Sequence, residues 1–284
     1  MSDTHTQTRG RRLVWTGAGM PASDGAGVKL NRIIGQPALP DLDPFLLLDE
    51  FGSDDPAAYI AGFPSHPHRG FETVTYMLAG RMRHKDNAGN EGLLGPGSVQ
   101  WMTAGRGIVH SEMPEQESGL MRGFQLWVNL PAKDKMSAPR YQDIAADRTP
   151  VVDLGGGASA RVLAGEIAGV KGPVDPGATQ PTFLDVALPA GASATIRLPP
   201  GHNAFAYAYD GEASVGDPAE PLGRGRIGVL SPGDEVTLAS AEGARLILVA
   251  GKPLREPIAR HGPFVMNTHA ELMQAFEDFQ AGRF

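Results

Sequence analysis

Residues 66–114 read HPHRGFETVTYMLAGRMRHKDNAGNEGLLGPGSVQWMTAGRGIVHSEMP. Two runs in this stretch, FETVTYML (71–78) and SVQWMTA (98–104), are short and rich in Val, Thr, Tyr and aromatic residues. Gly and Pro turns separate them, which predicts β-strands. The stretch opens on His66-Pro67-His68 and closes on His110-Ser111-Glu112. On a strand, residues i and i+2 point to the same face. Each pair therefore presents two ligand-type side chains together. If the two strands are neighbours, three imidazoles and one carboxylate converge. Such a set suits Fe(II), Mn, Ni, Cu or Zn and leaves positions open for oxygen or substrate. One His-x-His is weak on its own. Two such pairs, holding three of the chain's eight histidines, carry the metal reading.

The same texture extends outward. GFQLWVNL (123–130), TFLDVALP (182–189), AFAYAYD (204–210) and RLILVAG (245–251) are further predicted strands. With 37 Gly and 24 Pro scattered through 284 residues, the composition fits an all-β protein with many tight turns. Two segments look helical. AKDKMSAPRYQDIAAD (132–147) is polar and lies mid-chain, as a linker would. NTHAELMQAFEDFQAGRF (267–284) has Thr268 and Glu271 at capping-box spacing. Leu272, Ala275, Phe276 and Phe279 form its apolar stripe, expected to pack on a barrel, and Gly282 can end it.

The two halves read as diverged repeats. GLLGPGS (92–98) matches GVLSPGD (228–234), and YMLAG (76–80) matches YAYDG (207–211), in the same order. A gapless alignment carries the four candidate ligands onto Arg197, Pro199, Leu246 and Leu248. None of these is a ligand type, so the second barrel is expected to hold no metal. The predicted domains are a polar tail (1–12), a metal-bearing barrel (13–135), a linker (136–150) and a degenerate barrel with the terminal helix (151–284).

The bulk numbers exclude several classes. A net charge of −7 disfavours direct nucleic-acid binding. The one basic cluster, Arg9, Arg11 and Arg12, reads as a solvated tail. With no cysteine, disulfides and thiolate metal sites are impossible. No apolar run is long enough to span a membrane, and residues 1–12 do not read as a secretory signal. The default expectation is a cytoplasmic protein.

Around the ligand pairs, Glu72 is expected to orient a histidine. Gly70 and Gly107 are expected to permit tight turns, and Arg69 and Arg106 either to attract an anion or to form rim salt bridges. His5, His84, His202, His261 and His269 are assigned surface or structural roles, with His84 in an exposed turn.

Taken together, residues 66–114, 123–130 and 262–284 resemble the pirin family. The resemblance runs from about residue 11 onward and is thin across 150–225. It implies two tandem cupin (jelly-roll) barrels, with His66, His68, His110 and Glu112 as iron ligands. Some pirins have quercetin 2,3-dioxygenase activity, and others are non-catalytic regulators. The resemblance thus implies two functions. In the first, an Fe(II)-dependent dioxygenase opens a flavonol ring with O2. Glu112 then acts as general base, and Trp101, Met102 and Phe124 line a pocket for the flat substrate. In the second, a redox-responsive iron protein binds a protein partner. A zinc isomerase-type cupin fits the ligands but not the resemblance.

Overall fold

The computed structural model describes residues 8–175 and 177–284. Strands come in chain order. The first eight are β1 (Leu13–Ala18), β2 (Met20–Asp24), β3 (Val28–Ile34), β4 (Phe45–Ser53), β5 (Phe63–His68), β6 (Phe71–Ala79), β7 (Met82–Asp86) and β8 (Glu91–Leu94). Then come β9 (Val99–Thr103), β10 (Ile108–Pro114), β11 (Met121–Asn129), β12 (Arg140–Ile144), β13 (Val151–Gly155), β14 (Ala158–Ala164), β15 (Glu166–Ile167) and β16 (Val170–Lys171). The rest are β17 (Thr182–Leu188), β18 (Ser193–Arg197), β19 (Asn203–Gly211), β20 (Ala213–Val215), β21 (Glu220–Leu222), β22 (Arg226–Leu230), β23 (Glu235–Ala239), β24 (Ala244–Gly251), β25 (Ala259–His261) and β26 (Phe264–Met266). One helix, α1 (His269–Gln280), follows them. The chain is all-β, built as two cupin barrels with one terminal helix.

The chain divides into two compact units. One comprises residues 19–149 and 254–284, the other residues 1–18 and 150–253. In the first, a seven-stranded sheet in the order β12-β9-β6-β11-β4-β3-β2 accompanies a four-stranded sheet, β5-β10-β7-β8. In the second, the orders are β1-β22-β19-β24-β17-β14-β13 and β18-β23-β20-β21. Strand for strand these match. Each large sheet has an inner strand, β6 or β19, buried along most of its length on both faces.

The division corrects the expected boundaries. Strand β1 pairs with β22, so residues 13–18 belong to the second unit. Helix α1 groups with the first unit, where Leu272 and Ala275 pack with Phe264 and Met266. Its capping box forms as the sequence predicts, with Glu271 N–H donating to Thr268 Oγ1 and Thr268 N–H to Glu271 Oε2. The 132–147 segment is not a helix. Pro139 interrupts it, and Arg140–Ile144 joins the first unit's large sheet beside β9. Only short 3₁₀ turns remain, at Ala132–Asp134 and Ala146–Arg148.

The basic tail is also corrected. Residues 1–7, including His5, lie outside the described residues, but Arg11 is fully buried. Its guanidinium donates to the carbonyls of Pro199, His202 and Ser231. Among the described residues, no helix is long and apolar enough to cross a membrane.

Candidate metal centre

Strands β5 and β10 are antiparallel neighbours, and His110 stands directly opposite His66. A register shift between His110 and Glu112 places Glu112 opposite Phe63. Gly70, at φ +89°, makes the turn out of β5 into β6, and a Cβ there would collide with the Val265 carbonyl. The three imidazoles converge as the sequence predicts. Their ring centroids lie 4.4 to 4.9 Å apart, and their candidate ligand atoms lie within 4.8 Å of one another.

The backbone aims these rings. His66 Nδ1 faces the Pro64 carbonyl at 2.7 Å, and His68 Nδ1 faces that of Pro263 at 3.5 Å. Their Nε2 atoms are left facing each other at 3.0 Å. Two nitrogens each about 2.1 Å from one ion, at a right angle, would stand about that far apart. His110 Nε2 is buried with no hydrogen-bond partner. A buried orphan nitrogen beside two converging ones is costly unless an ion takes its lone pair. The group therefore fits a metal that accepts imidazole. His68 and His110 titrate well below the ordinary histidine range. For His68 the cause is burial, then the nearby His66. For His110 it is burial, then His68, His66 and His84. Both rings are thus neutral and ready to ligate near neutral pH.

Glu112 is buried on the same strand but lies outside the three-histidine group. Its Oε1 accepts from the Thr75 hydroxyl and its Oε2 from Gln125 Nε2, both at 2.7 Å. A carboxylate offers about four lone-pair sites, so both oxygens keep accepting capacity.

A cavity of about 600 Å³ opens beside the cluster. Its walls include Phe63, His66, His68, Gln125, Trp127 and Arg260. Trp127 packs edge-on against His68 at 5.2 Å, and Arg260 lies over the Trp127 ring at 5.0 Å. Trp101, Met102 and Phe124, expected in the pocket, are buried instead and take no part in its wall. On β11, Gln125 and Trp127 line it in place of Phe124, because a one-residue step reverses the face.

Glu72 accepts from Thr103 Oγ1 at 2.7 Å and has no hydrogen bond to a histidine among the described residues. The even spacing from His68 fails because the Gly70 turn puts the two residues on different strands. Arg69 is buried and paired with Asp278 at 2.7 Å, so its charge is spent away from the cavity.

His84 is the residue that sequence reasoning placed worst. It lies on β7, fully buried, with Nδ1 3.4 Å from His110 Nδ1. A signal was present: Met82 and His84 alternate with the charged Arg83 and Lys85, as on a strand with one buried face.

Matched pairs of jelly-roll sheets, with clustered imidazoles in one small sheet, define a bicupin protein with a candidate metal centre. The Pirin family profile matches residues 27–128, and that of the Pirin C-terminal cupin domain matches residues 183–284. A pirin-like protein of Caulobacter vibrioides is 54% identical over 94% of this chain and 96% of its own length. Human pirin is 43% identical over 91% of this chain and 88% of its own. The crystal structure of an Acinetobacter baumannii quercetin 2,3-dioxygenase superposes with TM-score 0.89 at 36% identity, covering 96% of this chain and 98% of that one. The chain belongs to the pirin family.

Proposed function

We propose that this protein is a metal-dependent dioxygenase that opens a flavonol ring with O2, in the manner of quercetin 2,3-dioxygenases. The observation that carries the reading is the cavity. Its lining includes two of the three clustered histidines together with Trp127 and Phe63. Its volume falls in the range of about 300–1,000 Å³ typical of small-molecule sites. Likeness to the Acinetobacter baumannii enzyme supports the same class.

His66, His68 and His110 would hold the metal, with Glu112 as a fourth ligand. Fe(II) is the favoured ion, and Mn, Ni, Cu and Zn suit the same donors. The metal supplies Lewis acidity that lowers the pKa of a bound hydroxyl, and an open position for O2. The aromatic walls orient a flat substrate and exclude water. Gln125 lines the cavity and donates to Glu112, so the carboxylate lies one hydrogen bond from the substrate space. Glu112 takes the proton of the flavonol 3-hydroxyl as general base. Ring opening then consumes one O2 and releases carbon monoxide.

The test is anaerobic loading of metal-free protein with Fe(II), then O2 uptake with quercetin, alongside Glu112→Ala. Saturable uptake that the variant loses supports the reading. No uptake with one iron bound per chain would sink it and favour a non-catalytic, redox-responsive protein that binds a protein partner.

A further inference from the structure

We infer that Asp86 and His84 form a buried relay that holds His110 in one tautomer and strengthens its donation to a bound metal. The inference rests on the metal-centre reading above and is independent of the substrate.

Strand β7 runs along the other side of β10, with Asp86 opposite His110 and His84 opposite Glu112. The side chains of His84 and Asp86 are both 0% exposed. His110 Nδ1 meets His84 Nδ1 at 3.4 Å, and His84 Nε2 meets Asp86 Oδ2 at 3.5 Å. Both contacts are at the long end of hydrogen bonding. Their order along one line is what matters.

Two identical nitrogens face each other, so one must carry the proton. If His110 offers its Nε2 lone pair to the metal, its proton is on Nδ1 and points at His84. His84 must then accept at Nδ1 and carry its own proton on Nε2, facing Asp86. Every donor meets an acceptor. The opposite assignment turns the His110 N–H into the histidine cluster. It also sets the His84 Nε2 lone pair against a carboxylate. Only the first arrangement is free of conflict.

The relay is held at both ends. Asp86 Oδ1 accepts from the backbone N–H groups of Ala88 and Asn90, at 3.0 and 2.9 Å. Its Oδ2 accepts from Asn90 Nδ2 at 2.8 Å. Tyr141 stacks on the His84 ring at 4.8 Å, which fixes the imidazole plane. The counterpart of β7 in the second unit, β20, has Ser214 and Val215 against β23. The histidine cluster and the relay thus lie in one small sheet, and the strands of the other carry no histidine.

A carboxylate behind a ligating imidazole raises its basicity. More donation favours the oxidised metal, so the relay lowers the Fe(III)/Fe(II) midpoint potential. The test uses the full chain with His84→Leu, His84→Gln and Asp86→Asn. The readouts are Co(II) and Fe(II) affinity by chelator competition, the iron midpoint potential, and the Co(II) ligand-field spectrum. His84→Leu should weaken metal binding roughly 10- to 100-fold and raise the potential. His84→Gln keeps an acceptor for His110 N–H and should recover part of both. Asp86→Asn should shift both in the same direction, by less. The melting temperature of each metal-free variant reports packing separately. Wild-type affinity and potential in a folded His84→Leu would overturn the relay. So would equal shifts in His84→Leu and His84→Gln, since a packing role gives no rescue. Failure of the wild type itself to bind Co(II) or Fe(II) would overturn the metal centre beneath it.

Discussion

The two four-stranded sheets, β5-β10-β7-β8 and β18-β23-β20-β21, share an order and differ in what they bury. In the first, the pairing of β10 with β5 sets His110 against His66. In the second, β18 and β23 set Ala194 against Leu238 and Ile196 against Val236, all buried. Polar groups can enter the first interior because they converge on one another and on a space an ion can fill. The second is closed by apolar packing, which stabilises the fold in proportion to the area removed from water. One topology thus supports a buried histidine cluster or a plain apolar core, and the inward residues of two strands decide which.

Four measurements would break or sharpen this contrast. The largest effect is expected from His110→Ala. Metal affinity should fall by more than the roughly 10–100-fold that an outer partner commands, as read by metal content after dialysis against a chelator. Retention of stoichiometric metal would break the comparison on the first sheet. Next, Leu238→Ala in the second sheet should cost about 2–5 kcal/mol in denaturant unfolding, with metal content untouched. A metal loss there would mean the second sheet is not merely a core. Third, Thr268→Ala removes the capping box of α1 and should cost about 1 kcal/mol, seen as a lower unfolding midpoint.

The last prediction concerns Lys135 in the first unit. Its Nζ donates to Asn129 Oδ1 and to the carbonyls of Gly70 and Val265. Burial pulls this amine down from 10.5 to about 8. A depressed folded-state pKa means the unfolded chain binds more protons between those two values. Stability from this group therefore rises with pH across that window and is lowest below it. The stability of wild type minus that of Lys135→Met should grow from pH 8 to 10.5. A flat difference would show the ammonium is not desolvated.

The site was more legible than its surroundings. His66, His68 and His110 were readable because strand geometry makes i and i+2 cofacial, and their strands are adjacent. His84 was misplaced because a polar HKDN run looks like a turn until its alternation is weighed. The structure pairs GVLSPGD with a different strand than the gapless match did. The first residues of that segment, 228–230, end β22, the counterpart of β9, and the rest leads into β23, whereas GLLGPGS leads into β9. The strands of the histidine cluster, β5 and β10, therefore correspond to β18 and β23. Leu246 and Leu248 lie on β24, the counterpart of β11. The buried positions of β18 and β23 are apolar: Ala194, Ile196, Val236 and Leu238.

By itself, the sequence determined local matters. These are the strand periodicity, the capping box of α1, the exclusion of thiolate chemistry and the pairing of ligand residues at cofacial spacing. Each depends on neighbours a few residues apart, so the pattern contains it. Only the tertiary structure decided which strands lie side by side. It put β1 with the second unit and α1 with the first, brought Trp127 and Arg260 to the cavity, and set His84 behind His110. Those contacts join residues far apart in the chain, and their energies depend on packing and burial that no local window of sequence carries.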